Sequence, residues 1–173
     1  MKKALRVAKY VVMATVVVTV ALFLHYNLPR TDVVQIVGTD VKRNDIRVNG
    51  EVVTRDIRFI TSLMQNGKTR VYRNEDTGWG WPPYFKFDSA DLTAKAQSFA
   101  GETEKSWALV THYGWRVTML SSFPNAVAIK KVDQDYSHLP LFNIIFLLSL
   151  FGGILFLVLA VRRYLSRRRT SAD

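Results

Sequence analysis

Two long apolar runs bracket a stretch of alternating, turn-punctuated sequence. Val11 to Leu24 is interrupted only by Thr15 and Thr19, and its shoulders at Ala8–Tyr10 and Tyr26–Leu28 bring it to about twenty residues. Leu139 to Val161 carries no charge across 23 residues. Each is long enough to cross a hydrocarbon core of about 30 Å. The pattern between them has a different period. Asp32–Lys42 is β-branched and partly alternating, with Gly38 at a bulge position. Glu51–Leu63 follows the turn pair Asn49-Gly50, and Asn66-Gly67 separates it from Thr69–Arg73, a hairpin signature. Within that last run Val71 falls on one face, with Arg70 and Tyr72 on the other.

A helical period appears once in the middle. Ser89 stands as a cap, Asp91 suits the first turn, and Leu92, Ala96 and Phe99 share a face before Gly101. Ser106–Arg116 and Ala126–Val132 return to strand, with Ser122-Phe123-Pro124-Asn125 turning between them. The predicted fold class is α+β: two transmembrane helices flanking a small, mostly-β extracytoplasmic domain with one short helix. Three strands, a helix and two strands is the element order of an OB-type barrel, and a curved sheet with one covering helix gives the same string.

Charge sharpens this picture. The net charge is +10, yet Lys2, Lys3, Arg6 and Lys9 precede the first run, and Arg162, Arg163, Arg167, Arg168 and Arg169 follow the second. Between those flanks, with Asp173 also left aside, fifteen Lys/Arg face thirteen Asp/Glu, a net of +2. A nucleic-acid footprint needs a clustered basic surface, so that class is set aside. Basic flanks at both ends predict both termini in the cytoplasm. The 112 residues from Tyr26 to Ser137 then lie outside it, in a bacterium in the periplasm beside the inner membrane. The expected division is a basic N-terminus at 1–9, a span at 10–28, the domain at 29–137, a span at 138–161 and a basic tail at 162–173. A cleaved signal peptide competes for the first span, but no small-x-small site follows Leu24, and an uncleaved anchor is expected. There is no cysteine, hence no disulfide or thiolate metal site.

Thr15/Thr19 and Ser149/Gly153 are small residues four apart, and Gly152 adds a flexible point; such faces pack within the chain's own spans or against a partner or second copy. His25-Tyr26 and Tyr136-Ser137-His138 sit at the outer ends of the spans, where Tyr and His suit the headgroup region. Two imidazoles at one depth also raise metal or haem ligation, but two ligands fall short of a site, and no metal or cofactor is expected.

The densest chemistry lies in Tyr72–Asp88, YRNEDTGWGWPPYFKFD. Pro82-Pro83 fixes φ and is expected to hold Trp81 extended, while Gly78 and Gly80 permit close backbone approach. Trp79, Trp81, Tyr84, Phe85 and Phe87 have three open fates: the domain core, the membrane interface, or a recognition surface served by Arg73, Lys86 or Arg116. A ligand-binding version places Trp79, Trp81, Tyr113 and Trp115 on one barrel face. No G-x-S-x-G, H-E-x-x-H, phosphate loop or dinucleotide fingerprint is present. Adjacent Glu75 and Asp76 point apart in extended chain and read as turn or helix-cap residues rather than a catalytic pair. His112 reads as a hydrogen-bonded structural histidine, with an enzyme requiring Glu75 or Asp76 to converge on it. Ser121 and Ser122 show no activating neighbour.

The segments HYNLP, DVVQIVGTDVKR, DIRFI, VYRNEDTGWGWPPYFKFD, THYGWR and FPNAV resemble a family of small proteobacterial membrane proteins catalogued as a domain of unknown function, number fifteen twenty-three. The resemblance covers nearly the whole chain and implies a two-span envelope protein with an extracytoplasmic domain; it implies no activity, cofactor or catalytic residue. The expected role is non-catalytic: a periplasmic domain that binds or stabilises another envelope protein, with a glycan, lipid headgroup or cofactor as the alternative ligand. The expected binding residues are Arg73, Trp79, Trp81, Tyr84, Phe85, Tyr113, Trp115 and Arg116.

Overall fold

Alternation becomes enclosure once five strands share their inner positions. The computed structural model describes residues 2–48 and 51–170. In chain order the elements are α1 (Lys2–Asn27), β1 (Arg30–Val48), β2 (Glu51–Met64), β3 (Thr69–Asn74), α2 (Ser89–Gly101), β4 (Trp107–Tyr113), a 3-10 turn (Thr118–Leu120), β5 (Asn125–Val132) and α3 (Leu141–Thr170). The strands close a barrel in the order β1-β2-β3-β5-β4. All neighbours are antiparallel except β3 and β5, which meet in parallel at Arg73 and Asn125. Closure removes exposed sheet edges, which an open five-stranded sheet would leave to solvent.

Inward positions follow the period of two. Val34 and Ile36 of β1, Ile60 of β2, Tyr72 of β3, Ala108 and Val110 of β4, and Ala126 and Ile129 of β5 meet Leu92, Ala96 and Phe99 of α2. The barrel interior is therefore filled by side chains rather than open as a groove. The helical face read from the sequence is the one buried. Gly38 also behaves as expected, since the β1–β2 register shifts between Ile36 and Gly38. The Asn66-Gly67 turn closes β2 onto β3, with Gly67 at φ +75° and its N–H donating to Met64 O.

Several expectations need correction. The alternation read for β3 holds, with Tyr72 on the face opposite Val71, but the buried face is that of Tyr72 and Asn74, so a polar pair occupies core positions. The helix is not capped by Ser89, which is its first residue. Asp88 at the N-cap makes no side-chain bond, and the Asp76 carboxylate accepts instead from the Ser89 N–H and hydroxyl, both at 2.8 Å. β1 begins earlier and runs further than Asp32–Lys42. Lys42–Val48 and Glu51–Ile57 pair only with each other among the described residues, forming a two-stranded arm about 24 Å long. The Asn49-Gly50 turn lies outside the described residues; the strands on either side place Val48 opposite Glu51.

Two helices, Lys3–Asn27 and Leu141–Tyr164, are long and apolar enough to cross a membrane. Thr15 and Thr19 turn their hydroxyls onto the carbonyls of Val11 and Thr15, so neither leaves a bare donor on its helix face. The chain forms two compact units, Met1–Ser137 and His138–Asp173.

Candidate functional site

The site is built where β1 leaves α1 after only Leu28 and Pro29. So short a link sets one rim of the barrel against the last turns of α1. Gly114 N donates to Tyr26 O at 2.9 Å, Tyr84 OH to Asn27 O at 2.6 Å, Trp81 Nε1 to Asn27 Oδ1 at 2.8 Å, and Trp115 Nε1 to His25 Nδ1 at 2.7 Å. These are carbonyls and polar side chains at a helix C-terminus, where intrahelical donors run out. Gly114, at φ +87°, allows the rim to turn there, and a Cβ would meet Tyr26 and Pro124. Rings surround the same helix end. Phe23 stacks on Trp81 at 5.6 Å, Tyr26 meets Trp115 edge-on at 5.4 Å, and Tyr84 lies flat on Tyr113 at 4.7 Å.

The Tyr72–Asp88 stretch is mostly outside the core. Trp79, Trp81, Phe85 and Phe87 are 84%, 66%, 54% and 57% exposed. Trp79 touches both Phe85 and Phe87 with ring centroids 5.5 Å apart, so three exposed rings share one side. Phe85 sits at φ +49°, a conformation disfavoured for a bulky side chain and held here by the surrounding turns. Trp81 is presented as expected, but not on extended chain: Gly80 N donates to Thr77 O and Tyr84 N to Pro82 O, so the segment turns twice, and the Trp81–Pro82 bond is cis.

Of the proposed cations, Lys86 is buried, with its ammonium on Asn74 Oδ1, and is no surface partner. Burial lowers its pKa, against the raising influence of Asp88, Asp76 and Glu75. Arg73 is paired with Glu75. Arg116 lies over Phe123 at 4.1 Å and donates to Ser122 O at 2.9 Å. The single aromatic face of Trp79, Trp81, Tyr113 and Trp115 does not form, because Tyr113 is buried under Tyr84. Trp81 and Tyr113 do line a cavity of about 210 Å³ with Tyr26, Arg73 and Glu75. Trp115 instead lines a larger one of about 510 Å³ with Leu22, His25, Arg30, Arg70 and Arg116. Tyr136 borders a third hollow beside Asp32, Met64 and Gln65. His138 belongs to the second unit.

The sequence reading missed the polar layer inside the rim. Asp32 Oδ2 accepts from Tyr72 OH at 2.7 Å and lies 3.1 Å from His112 Nε2 and 3.4 Å from Arg70 Nε. His112 is 1% exposed and stacks obliquely on Tyr72. Burial alone would raise the Asp32 pKa, but the hydrogen bonds from His112 and Tyr72 and the charges of His112 and Arg70 outweigh it and hold the carboxyl below its ordinary value. Tyr72 is pushed up by burial and by the Asp32 charge. The carboxylate at His112 is thus that of Asp32, whereas Glu75 serves Arg73 and Asp76 serves α2. Period-two spacing put residues 30, 32 and 34 on one face, so Asp32 was placeable beside the core position Val34; only the β1–β4 register, with Asp32 opposite Val110, brings it to His112. Among the described residues no group of three or more His, Cys, Asp or Glu is spaced to hold a metal.

The family described as "Protein of unknown function (DUF1523)" matches residues 5–165. A Haemophilus influenzae relative, described as an uncharacterized protein, is 39% identical over 120 residues, which is 65% of this chain and 67% of the relative. No solved structure matches.

Proposed function

Because the chain belongs to the DUF1523 family, whose description carries no activity, we propose a function from its geometry: a non-catalytic inner-membrane binding protein whose OB-like barrel is seated on the periplasmic face of the bilayer. In this reading α1 and α3 span the membrane with both termini in the cytoplasm, as their basic flanks favour. The observation that carries it is the aromatic rim. Trp81 stacks on Phe23 of the apolar helix, and the mutually touching Trp79, Phe85 and Phe87 stand exposed two to six residues from it. Rings with an apolar body at the end of a span are stabilised at the headgroup level. The exposed Met119 and Leu120 of the 3-10 turn follow Val117, which lines a hollow together with Leu22 of the apolar helix.

The test is quenching of a variant that keeps Trp79 alone, with Trp81, Trp107 and Trp115 changed to Phe, in nanodiscs containing lipids spin-labelled near the headgroup. Trp79 emission should fall by at least half relative to unlabelled discs. Emission unchanged by the labelled lipid would sink the reading.

A second observation supports an envelope protein as a partner. Among the described residues the β1–β2 arm leaves two strand edges unpaired beyond the barrel, a template for pairing with an added strand. Photo-crosslinking from Asp45 and Asp56 in cells should give a discrete heteromeric adduct; crosslinks only within the chain would count against an arm-docked partner.

A further inference from the structure

The cavity of about 510 Å³ beside the end of α1 has walls of opposite character. Leu22, on the apolar helix, and the Trp115 ring form one side; Arg30, Arg70 and Arg116 form the other, with His25 at the edge. Three guanidinium groups therefore face a single hollow. Among the described residues the one carboxylate in contact with them is Asp32, which pairs with Arg70 at 3.4 Å and is shared with Tyr72 and His112. The arginines' own hydrogen bonds are incomplete. Arg30 donates to Gly114 O and Arg116 to Ser122 O, but among the described residues Arg30 Nε is buried without a hydrogen-bond partner and Arg70 Nε has only its 3.4 Å ion pair with Asp32. Burial and the neighbouring Arg70 charge both lower the Arg30 pKa, which signals like charges crowded in a partly dry place. Such an arrangement is costly empty and is relieved by an anion that accepts several N–H bonds at once. Guanidinium forks match phosphate oxygens in geometry.

We propose that this cavity binds the phosphate of an anionic phospholipid headgroup, with the acyl chains descending along α1 past Leu22. The inference rests on the membrane-seated reading above and gives that reading a ligand. A soluble phosphate shares the chemistry, but it would make no use of Leu22 and of a wall continuous with the apolar helix.

Native mass spectrometry of the full chain, released from micelles doped with phosphatidylglycerol, reads the binding directly. Phosphatidylglycerol should be retained at least tenfold more than diacylglycerol, which lacks the phosphate. Arg30→Gln with Arg70→Gln should reduce retention about tenfold. Because those two side chains are partly buried, Arg116→Gln, on an exposed residue, serves as the variant that leaves the fold intact and should reduce it about threefold. Equal retention by wild type and Arg116→Gln, with the double variant folded and also equal, overturns the proposal. Displacement of the lipid by inorganic phosphate at equal concentration overturns the lipid assignment in favour of a soluble anion. Trp79 quenching measured on the Arg116→Gln background separates the two ideas: quenching kept with lipid selectivity lost in the wild type removes only the headgroup site, whereas selectivity kept with quenching lost removes only the seating.

Discussion

Asp32 gathers three polar partners at the barrel interior, Tyr72, His112 and Arg70. Replacing it by Ala would leave Tyr72, His112 and Arg70 facing one another without an acceptor, a loss of about 3 kcal/mol in unfolding free energy. Asp32→Asn, which retains an acceptor, should lose less; chemical denaturation in detergent measures both. The pH dependence has a definite sign. Asp32 titrates below its unfolded value of about 3.9, so its contribution is complete above that pH and disappears as pH falls through the lower folded value. Wild-type melting temperature should therefore drop more steeply below about pH 4 than that of Asp32→Asn. At Asp76, Ala substitution removes the cap on Ser89 and should cost about 1 kcal/mol. Asp76 was legible as a cap residue because adjacent carboxylates cannot converge. Asp32 was not, because its role arises from strand register, and a period of two says which face a residue takes but not what lies across it.

Among the elements, the strands and helix were readable wherever turn chemistry is local. Gly38, Asn66-Gly67 and the Leu92/Ala96/Phe99 face each do what their residue types require. The extent of β1 and β2 was not readable, since Lys42, Arg43 and Asp45 break the apolar pattern where pairing continues regardless. There the cross-strand Arg43–Asp56 pair and the Thr54 hydroxyl on Asp45 accompany backbone hydrogen bonding in place of a core. The fate of Tyr72–Asp88 turned on a contact no local rule contains, the docking of the rim onto α1. That docking depends on Gly114. Gly114→Ala forces a side chain into φ +87° beside Tyr26 and should cost about 1–3 kcal/mol. Thermal melts should show the loss, accompanied by altered fluorescence of Trp115, whose indole N–H is held by His25.

At the scale of the whole molecule, basic ends, long apolar runs and a nearly neutral middle follow from composition alone, and the family match extends over residues 5–165. The proposed seating of the barrel on a bilayer could not be read from hydropathy, because Trp79, Phe85 and Phe87 are as compatible with a core as with a surface until their exposure is known. The absence of cysteine makes the arrangement open to single-cysteine probes. The most direct measurement places a spin label at Met119→Cys, on the exposed turn at the rim, and another at Lys130→Cys on β5, and compares their collisions with oxygen and with a water-soluble nickel chelate in bilayers. A barrel seated by its rim predicts oxygen-rich, nickel-poor relaxation at position 119 and the reverse at position 130. Equal nickel access at both positions would contradict it.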